Sequence, residues 1–468
     1  MSLWKTIIAN LPEVAGPTQK KLSFKEKLKW TLIILVLFFV LGMVPLFGLG
    51  QNALQRFELL SVILGAQMGS ILSLGIGPLV TASIVLQLLN GSGILKFDLT
   101  SKEGRQSFQG LQKLGAIFFI VFEAAIYVFM SGLAPPAELA GTAVYFQLEL
   151  VLIFQLILGG LLIMFMDEVV SKWGFGSGVS LFIAAGVSQS VFIRALSPLP
   201  SPTNPGIATG AIPALFQSLS AGDPQTAVLM IAGVVATVAV FVMAVYGQAM
   251  KVEIPLSFGR IRGHGIRWPL SFIYTSNIPV ILVAALLANI QLWARLMQNW
   301  GFPLLGKFSG NTPVSGLVAW IGSPDIVGKI IRGSISFIDF GHALVYALIM
   351  LGGCVLFSWF WVQTSGMDAK SQAKQIMSSG LQIPGFRKDE RVLERLLKRY
   401  ITPLTIMGAI AVGILAAAAD LSGALTSGTG LLLTVMIVYK LYEEIAKQHM
   451  MDMNPMLRKF MGGGGGAF

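Results

Sequence analysis

The chain has little cysteine, histidine or charge, and each shortage excludes a class of chemistry. Cys354 is the single cysteine among 468 residues, so no disulfide can form within the chain and no cysteine metal site exists. The three histidines, His264, His342 and His449, stand alone, without the pairing that zinc or haem ligation needs. Charged residues make up 12% of the chain, against about 25% in soluble proteins. We therefore predict no metal and no cofactor, and we do not expect a soluble protein.

Long apolar segments dominate the chain instead. Apolar residues make up 54% of it, and the mean hydropathy is +0.75. Each long run is sufficient to cross roughly 30 Å of hydrocarbon as a helix, and continuous runs of this kind suit helices rather than strands. The sequence therefore predicts an all-α multi-pass membrane protein with ten transmembrane helices. The ten spans lie near residues 29–49, 76–93, 114–133, 144–166, 177–194, 226–248, 270–290, 341–361, 402–420 and 427–446.

Lysine and arginine fall almost entirely on one side of this predicted membrane. Of the 33 lysines and arginines, 27 lie in the termini and loops on that side or, as Lys29 and Lys440 do, toward the adjoining ends of spans. Because positive charge stays in the cytoplasm, we predict that both termini are cytoplasmic in a cell membrane. The net charge of +11 follows mainly from this bias. An acidic cytosolic partner is expected only at the two loops where basic residues are densest, 249–269 and 362–401.

A linker rich in proline and serine, residues 195–225, divides the spans into two sets of five. We predict an N-terminal half at 29–194 and a C-terminal half at 226–446. An amphipathic N-terminus (1–28) precedes them, and a tail with a glycine run (447–468) follows them. An odd number of spans per half inverts the second half, a plan typical of transport machinery with a site near the midplane. The two halves show no strong sequence repeat, so the predicted inversion depends on the number of spans alone.

Several spans are broken or polar. The segment at about 57–70 is apolar but too short to cross, and Gly65 and Gln67 interrupt it, which predicts a re-entrant or interfacial helix. Pro279 removes a backbone donor and predicts a kink in the seventh span. Glu123 lies near the centre of the third span, where a carboxylate is costly and by default faces an interior. A purely structural, hydrogen-bonded glutamate is the alternative.

Aliphatic residues recur at four-residue spacing beside these defects, and two such pairs each share one helix face. Together with one residue from the seventh span and one from the tenth, they would form a belt of branched side chains. Such an apolar constriction closes a pore by dewetting and binds no ion. Each residue alone is equally compatible with an ordinary core. The six residues are Ile76, Val80, Val179, Ile183, Ile278 and Leu433.

At these positions the chain resembles the SecY family, the pore subunit of the protein-conducting channel, and looks closest to the archaeal type. Four stretches carry the resemblance. Each is weak alone, but they occur in order, each in the expected span, and the resemblance runs from about residue 20 to 455. The stretches include Gly75-Ile76-Gly77-Pro78-Leu79-Val80, Ser177-Gly178-Val179-Ser180-Leu181, Ser276-Asn277-Ile278-Pro279 and Gly428-Thr429-Gly430-Leu431.

The resemblance implies two five-helix halves around a central pore, hinged on the outside, and no enzymatic activity. Secretory polypeptides would pass through the pore, and transmembrane segments would leave sideways through a lateral gate between the second and seventh spans. The belt would be the pore ring. The gate's polar cluster would contain Gln87, Glu123 and Asn277. The segment at 57–70 would be a plug, presenting Phe57, Leu60, Ile63, Leu64 and Met68.

The resemblance also implies partners. These are a SecE-type small subunit, a second small subunit, the ribosome, signal sequences with their nascent polypeptides, and the lipid bilayer. Ribosomes would dock on the two basic loops. The docking residues would be Arg260, Arg262, Arg267, Arg387, Lys388 and Arg391.

Two rival functions follow from the residues alone. The inverted halves, the broken helices and Glu123 also suit an ion-coupled secondary transporter, although no second ionisable residue is clear at mid-membrane. A membrane enzyme is the other rival. It is disfavoured because the aqueous segments contain no Ser/His/Asp set, no metal-binding pattern and no phosphate-binding loop.

Overall fold

The computed structural model describes residues 10–18, 22–50, 69–91, 94–95, 97, 102–129, 132–200, 206–258, 265–275, 278–299, 301–309, 312–378, 381–382 and 389–453. Within them, a helix lies at each of the ten predicted spans, and four shorter α-helices lie between these. The helices of the N-terminal half are α1 (Phe24–Gly42), α2 (Gly77–Gly91), α3 (Lys102–Phe129), α4 (Ala143–Trp173) and α5 (Gly178–Leu196).

The second set of five follows a short helix in the linker region. The elements from there on are α6 (Ala211–Ala221), α7 (Pro224–Ala249), β1 (Lys251–Phe258), β2 (Gly265–Ser271), α8 (Ile278–Asn299), β3 (Lys307–Ser309), β4 (Thr312–Ser315), α9 (Leu317–Ile321), α10 (Ile326–Ile331), α11 (Phe337–Thr364), α12 (Ala369–Ser378), β5 (Leu381–Gln382), α13 (Glu390–Leu421) and α14 (Gly428–Met453). Of the two sets of five, α7, α8, α11, α13 and α14 form the C-terminal half.

Seven helices in the described part of the chain are long and apolar enough to cross a membrane. The other three spanning helices depart from that pattern for simple reasons. Helix α2 has 15 residues, because the chain turns through residues 71–76 before it begins. Helices α1 and α14 each carry charged residues toward one end, including Lys27 and Glu443.

The start of α8 corrects one expectation. The predicted kink at Pro279 is wrong, because α8 begins at Ile278 and the proline lies in its first turn. The preceding residues, up to Thr275, form the end of β2 and a turn. A proline costs nothing in a first turn, since its missing N–H would have no partner within the helix. Pro78 occupies the same kind of position in α2.

Helix contacts repeat in the two halves. In the N-terminal half, α3 packs on α2 and α4, and α4 and α5 pack on each other and on α1. In the C-terminal half, α11 packs on α8 and α13, and α13 and α14 pack on each other and on α7. Since each half has five spanning helices, the second repeats the first upside down. The halves meet along two seams, α5 with α14 on one side and α2 with α8 and α11 on the other.

The two basic loops contain strands that the sequence did not reveal. Strands β1 and β2 form an antiparallel hairpin in which Lys251 pairs with Ser271. Strand β5 joins the other edge of β1, pairing Ser257 with Gln382. This three-stranded sheet brings the loops 249–269 and 362–401 together. The loop 291–340 carries a second hairpin, β3 with β4, and the short helices α9 and α10.

Candidate functional site

A cavity of about 1140 Å³ lies between the two halves. Its wall is built from α2, α3, α4 and α5 on one side and from α8, α11 and α14 on the other. The charged part of the wall includes Glu103, Lys113, Glu168 and Lys440. Lys113 precedes the predicted third span, Glu168 follows the fourth, and Lys440 lies in the second half of the tenth. The cavity is therefore a vestibule with charged side chains in its wall, on the side that the charge bias predicts to be cytoplasmic.

Apolar side chains form one boundary of this vestibule. Val80, Val179 and Ile278 line it. They also belong to a continuous apolar cluster that contains Ile76, Ile183 and Leu433. All six residues of the predicted ring therefore lie in or against one large apolar core, on or beside α2, α5, α8 and α14. The buried members are almost fully shielded, since Ile76 is 2% exposed, Ile183 3% and Leu433 5%.

Local structure explains how these side chains converge. Val179 and Ile183 lie one turn apart on α5 and therefore project from the same face. Ile76 directly precedes α2, and Val80 follows within the first turn of that helix. Ile278 is the first residue of α8. The six predicted ring residues thus lie at or near helix starts.

A polar cluster links α2, α3 and α8. The Thr81 hydroxyl donates to Glu123 Oε1 at 3.2 Å, and Asn289 Nδ2 donates to Thr81 Oγ1 at 3.0 Å. Glu123 is buried among these helices. Sequence reasoning predicted Glu123 and missed Thr81 and Asn289. A single threonine or asparagine in an apolar helix is a weak signal until its neighbour across the interface is known.

The other two predicted gate residues behave differently. Gln87 lies on α2, six residues beyond Thr81, and it is buried yet lines the vestibule. Its Oε1 has no hydrogen-bond partner among the residues that the structure describes. The structure therefore places Gln87 beside the vestibule rather than in the Thr81 hydrogen-bond set. Asn277 lies outside the described residues.

The N-terminal segment crosses the mouth of the vestibule. Val14 N donates to Glu168 Oε2 at 2.9 Å, and Lys113 contacts both Glu168 and the Pro12 carbonyl. Lys172 Nζ donates to Glu13 Oε1 at 2.5 Å. This hydrogen bond holds the pKa of Glu13 below its usual value. Residues 12–15 are therefore tied to Lys113 in the first half of α3 and to the end of α4, an arrangement without an obvious sequence signal.

The predicted plug core, formed by Phe57, Leu60, Ile63, Leu64 and Met68, lies outside the described residues. The chain directly after it is anchored to the end of α1. Leu46 N donates to the Gly69 carbonyl at 2.8 Å, and Ile71 N donates to the Val44 carbonyl at 3.0 Å. This anchor fixes the point at which the predicted plug segment rejoins the helices.

Among the predicted docking residues, Arg391 is exposed in the first turn of α13. Its backbone N–H donates to Asp389 Oδ1 at 2.9 Å, so the helix start is capped while the guanidinium remains on the surface. Arg267 lies on β2, opposite Pro255. The remaining four, Arg260, Arg262, Arg387 and Lys388, lie outside the described residues.

Comparisons with known proteins agree on one family. The SecY family model matches residues 70–442. A protein translocase subunit SecY from Methanothermobacter thermautotrophicus is 48% identical over 463 residues, covering 98% of this chain and 98% of its own.

Two solved structures are also similar over nearly the whole chain. One is a SecY protein whose plug domain stabilises the closed state of the translocation channel and maintains a membrane seal. It has a TM-score of 0.81 and 42% identity, and the match covers 96% of this chain and 98% of that one. The other is Sec61 in the canine ribosome–channel complex from the endoplasmic reticulum. It has a TM-score of 0.79 and 41% identity, with the same coverage.

Proposed function

The chain belongs to the SecY family, and we propose that its six clustered aliphatic residues form the ring through which a polypeptide crosses the membrane. The protein is the pore-forming subunit of a protein translocation channel, and it is not an enzyme. Because the chain belongs to the SecY family, the alternative of an ion-coupled secondary transporter is rejected. What supports the ring assignment is the apolar cluster of Ile76, Val80, Val179, Ile183, Ile278 and Leu433 at the boundary of the vestibule.

The ring suits a channel that must pass many sequences. Aliphatic side chains offer no specific hydrogen bonds, so they can close around an extended chain without selecting its residues. At rest, the same narrow apolar surface excludes water and ions. The plug, about residues 57–70, would add a second barrier, and the related SecY structure uses its plug to keep a membrane seal.

The lateral gate would lie along the seam where α2 meets α8. Thr81, Glu123 and Asn289 hold α2, α3 and α8 together there. A signal sequence is an apolar helix, and it would enter lipid between α2 and α8 once these hydrogen bonds break. Gln87 would meet the entering segment from the vestibule. Asn277, near the start of α8, remains a predicted contributor.

The two basic loops would dock the ribosome, since the related Sec61 was solved in a ribosome–channel complex. The sheet of β1, β2 and β5 places these loops side by side. Arg391 and Arg267 would contribute to the contact, with Arg260, Arg262, Arg387 and Lys388. A SecE-type subunit and a second small subunit would complete the complex in the cell membrane, with both termini cytoplasmic.

The halves would move about the linker at residues 195–225. The side of the protein at this linker would stay closed, because Arg194 Nη1 donates to the Leu425 carbonyl at 3.2 Å and so joins the end of α5 to the turn before α14. The proposed N-terminal half is 29–194 and the C-terminal half is 226–446, with the segment 1–28 and the tail 447–468 in the cytoplasm.

A crosslinking experiment tests the proposed path. Cys354 is replaced by serine, and single cysteines are placed at Ile183, Ile278 and, as a lipid-facing control, Val238, which is 57% exposed on α7. A secretory chain is then stalled partway through the reconstituted complex. We expect adducts from Ile183 and Ile278 to the mature region of the chain, and none from Val238. A stalled chain that crosslinks to neither ring position would show that it passes elsewhere.

A further inference from the structure

A short sequence repeat links the fifth helices of the two halves. Helix α5 begins within Ser177-Gly178-Val179-Ser180-Leu181, and α14 begins within Ser427-Gly428-Thr429-Gly430-Leu431. Both follow the pattern Ser-Gly-x-x-Leu, and in both the glycine is the first helical residue. The sixth residue of each helix is a member of the proposed ring, Ile183 in α5 and Leu433 in α14.

An aspartate from the preceding helix caps the start of α5. Ser177 occupies the N-cap position but makes no capping hydrogen bond with its own side chain. Instead, Val179 N donates to Asp167 Oδ1 at 2.9 Å, and the Gly178 N–H and the Ser177 hydroxyl also donate to this carboxylate. A Cβ atom at Gly178 would lie 2.5 Å from the Asp167 Cα. The glycine therefore allows α4 to approach the start of α5.

The same arrangement recurs in the C-terminal half. Thr429 N donates to Asp420 Oδ1 at 2.7 Å, and the Gly428 N–H also donates to this carboxylate. The Thr429 hydroxyl contacts Asp420 Oδ2, to which the Tyr346 hydroxyl donates at 2.5 Å. A Cβ atom at Gly428 would collide with the backbone of residues 419 and 420. Each half thus pins the start of its fifth helix to a carboxylate of its fourth.

Five spanning helices, α5, α7, α8, α11 and α13, connect Asp167 to Asp420, so α5 and α14 would enter the proposed ring from opposite sides. A negative charge at a helix start is favoured by the helix dipole and satisfies N–H groups that otherwise lack partners. We propose that Asp167 and Asp420 are a matched pair of positioning residues that set the height of the pore ring. This inference depends on the proposed role of Ile183 and Leu433.

The path from each carboxylate to the ring is short. Ile183 follows Val179 by four residues, and Leu433 follows Thr429 by four. Each ring residue therefore lies about one helical turn, roughly 5.4 Å, beyond the pinned N–H. A rigid turn transmits any shift of the helix start directly to the ring. The pinning also makes α4 with α5, and α13 with α14, move as units, which confines gate opening to the seams between the halves.

The test measures the resting leak of iodide into vesicles that contain the reconstituted complex and an iodide-quenched dye. Asp167→Ala and Asp420→Ala are each expected to raise the leak roughly fivefold, the factor that loss of a typical helix cap makes in an equilibrium constant. Asp167→Asn and Asp420→Asn keep an oxygen acceptor, and asparagine caps helices about as well as aspartate. We expect their leak to stay within about twofold of the wild type.

A matched control separates ring positioning from general loss of capping. Asp223 caps α7 through Gln225 N at 3.2 Å, and α7 carries no ring residue. Asp223→Ala is therefore expected to leave the leak unchanged, and an increase equal to that of Asp167→Ala would overturn the proposal. If an alanine variant does not fold, Tyr346→Phe removes one donor from Asp420, and an unchanged leak would count against the pairing.

Ile183→Ser reports separately on the ring itself. If Ile183→Ser leaks and the aspartate variants do not, the positioning role is wrong and the ring assignment survives. If Ile183→Ser does not leak, the ring assignment itself fails.

Discussion

Thr81 offers the sharpest test of the gate. Its hydroxyl joins three helices, because it donates to Glu123 at 3.2 Å and accepts from Asn289 at 3.0 Å. Thr81→Val keeps the shape of the side chain and removes both hydrogen bonds. Glu123 and Asn289 then remain in the closed interface without this partner, which adds to the cost of the closed state. The variant should therefore favour the open gate.

The size of the effect follows from hydrogen bonds measured in membrane proteins. Each is worth about 0.6 kcal/mol on average, so the loss of two is worth about 1.2 kcal/mol. That energy corresponds to roughly an eightfold increase in the ratio of open to closed gate. Because the gate selects apolar signals, a larger open fraction should benefit a weakened signal sequence more than an intact one.

The assay compares export of one reporter carrying either an intact or a weakened signal sequence. We expect Thr81→Val to raise the weak-to-intact export ratio several-fold. Thr405→Val is the matched control, because the Thr405 hydroxyl donates to the Ile401 carbonyl of its own helix at 2.8 Å. If Thr81→Val leaves the ratio at the wild-type value, or if Thr405→Val raises it equally, the Thr81 cluster does not hold the gate closed.

Two further predictions concern packing and the N-terminal segment. Gly159→Ala should lower the yield and melting temperature of the folded complex, because a Cβ at Gly159 would collide with the Ile71 carbonyl. Gly352 has open space around it, so Gly352→Ala should leave both unchanged. Equal melting temperatures of the two variants would contradict the packing argument. The Glu13–Lys172 contact stabilises the bound N-terminal segment above the unfolded pKa of a glutamate and is lost as pH falls through the lowered folded pKa. Protection of residues 10–18 from proteolysis should therefore be flat from pH 8 to 5 and fall only below about 4, and Lys172→Ala should remove this step; a fall between pH 7 and 5 would point to another group.

Much of the ring could be predicted from the sequence, because it depends on helix periodicity. Val179 and Ile183 share one face of α5 whatever that helix packs against, and the predicted pair of Ile76 and Val80 begins one residue before α2. Their convergence with Ile278 and Leu433 depended on the resemblance to SecY, since spacing within one helix says nothing about the neighbour of that helix. In the structure all six residues lie in or against one large apolar cluster, and the ring itself stays a prediction.

The polar residues show the limit of such reasoning. Glu123 was identifiable because a carboxylate at mid-membrane is costly wherever it lies. Thr81 and Asn289 were not, because a threonine hydroxyl can donate within its own helix; the Gly77 carbonyl, 2.9 Å from Thr81 Oγ1, is such an alternative acceptor to Glu123. Their role appears only when α3 and α8 are placed against α2.

The sequence by itself determined the number of spans, the side on which positive charge lies and the inverted plan, because hydropathy, charge and the parity of crossings are properties of the chain alone. Only the tertiary structure decided which polar groups meet: Thr81 with Asn289, Asp167 with the start of α5, Asp420 with the start of α14, and the strand β1 with β5. The physical reason is that a hydrogen bond between distant segments needs both partners within about 3 Å, and the packing of helices, rather than the local sequence, sets that distance.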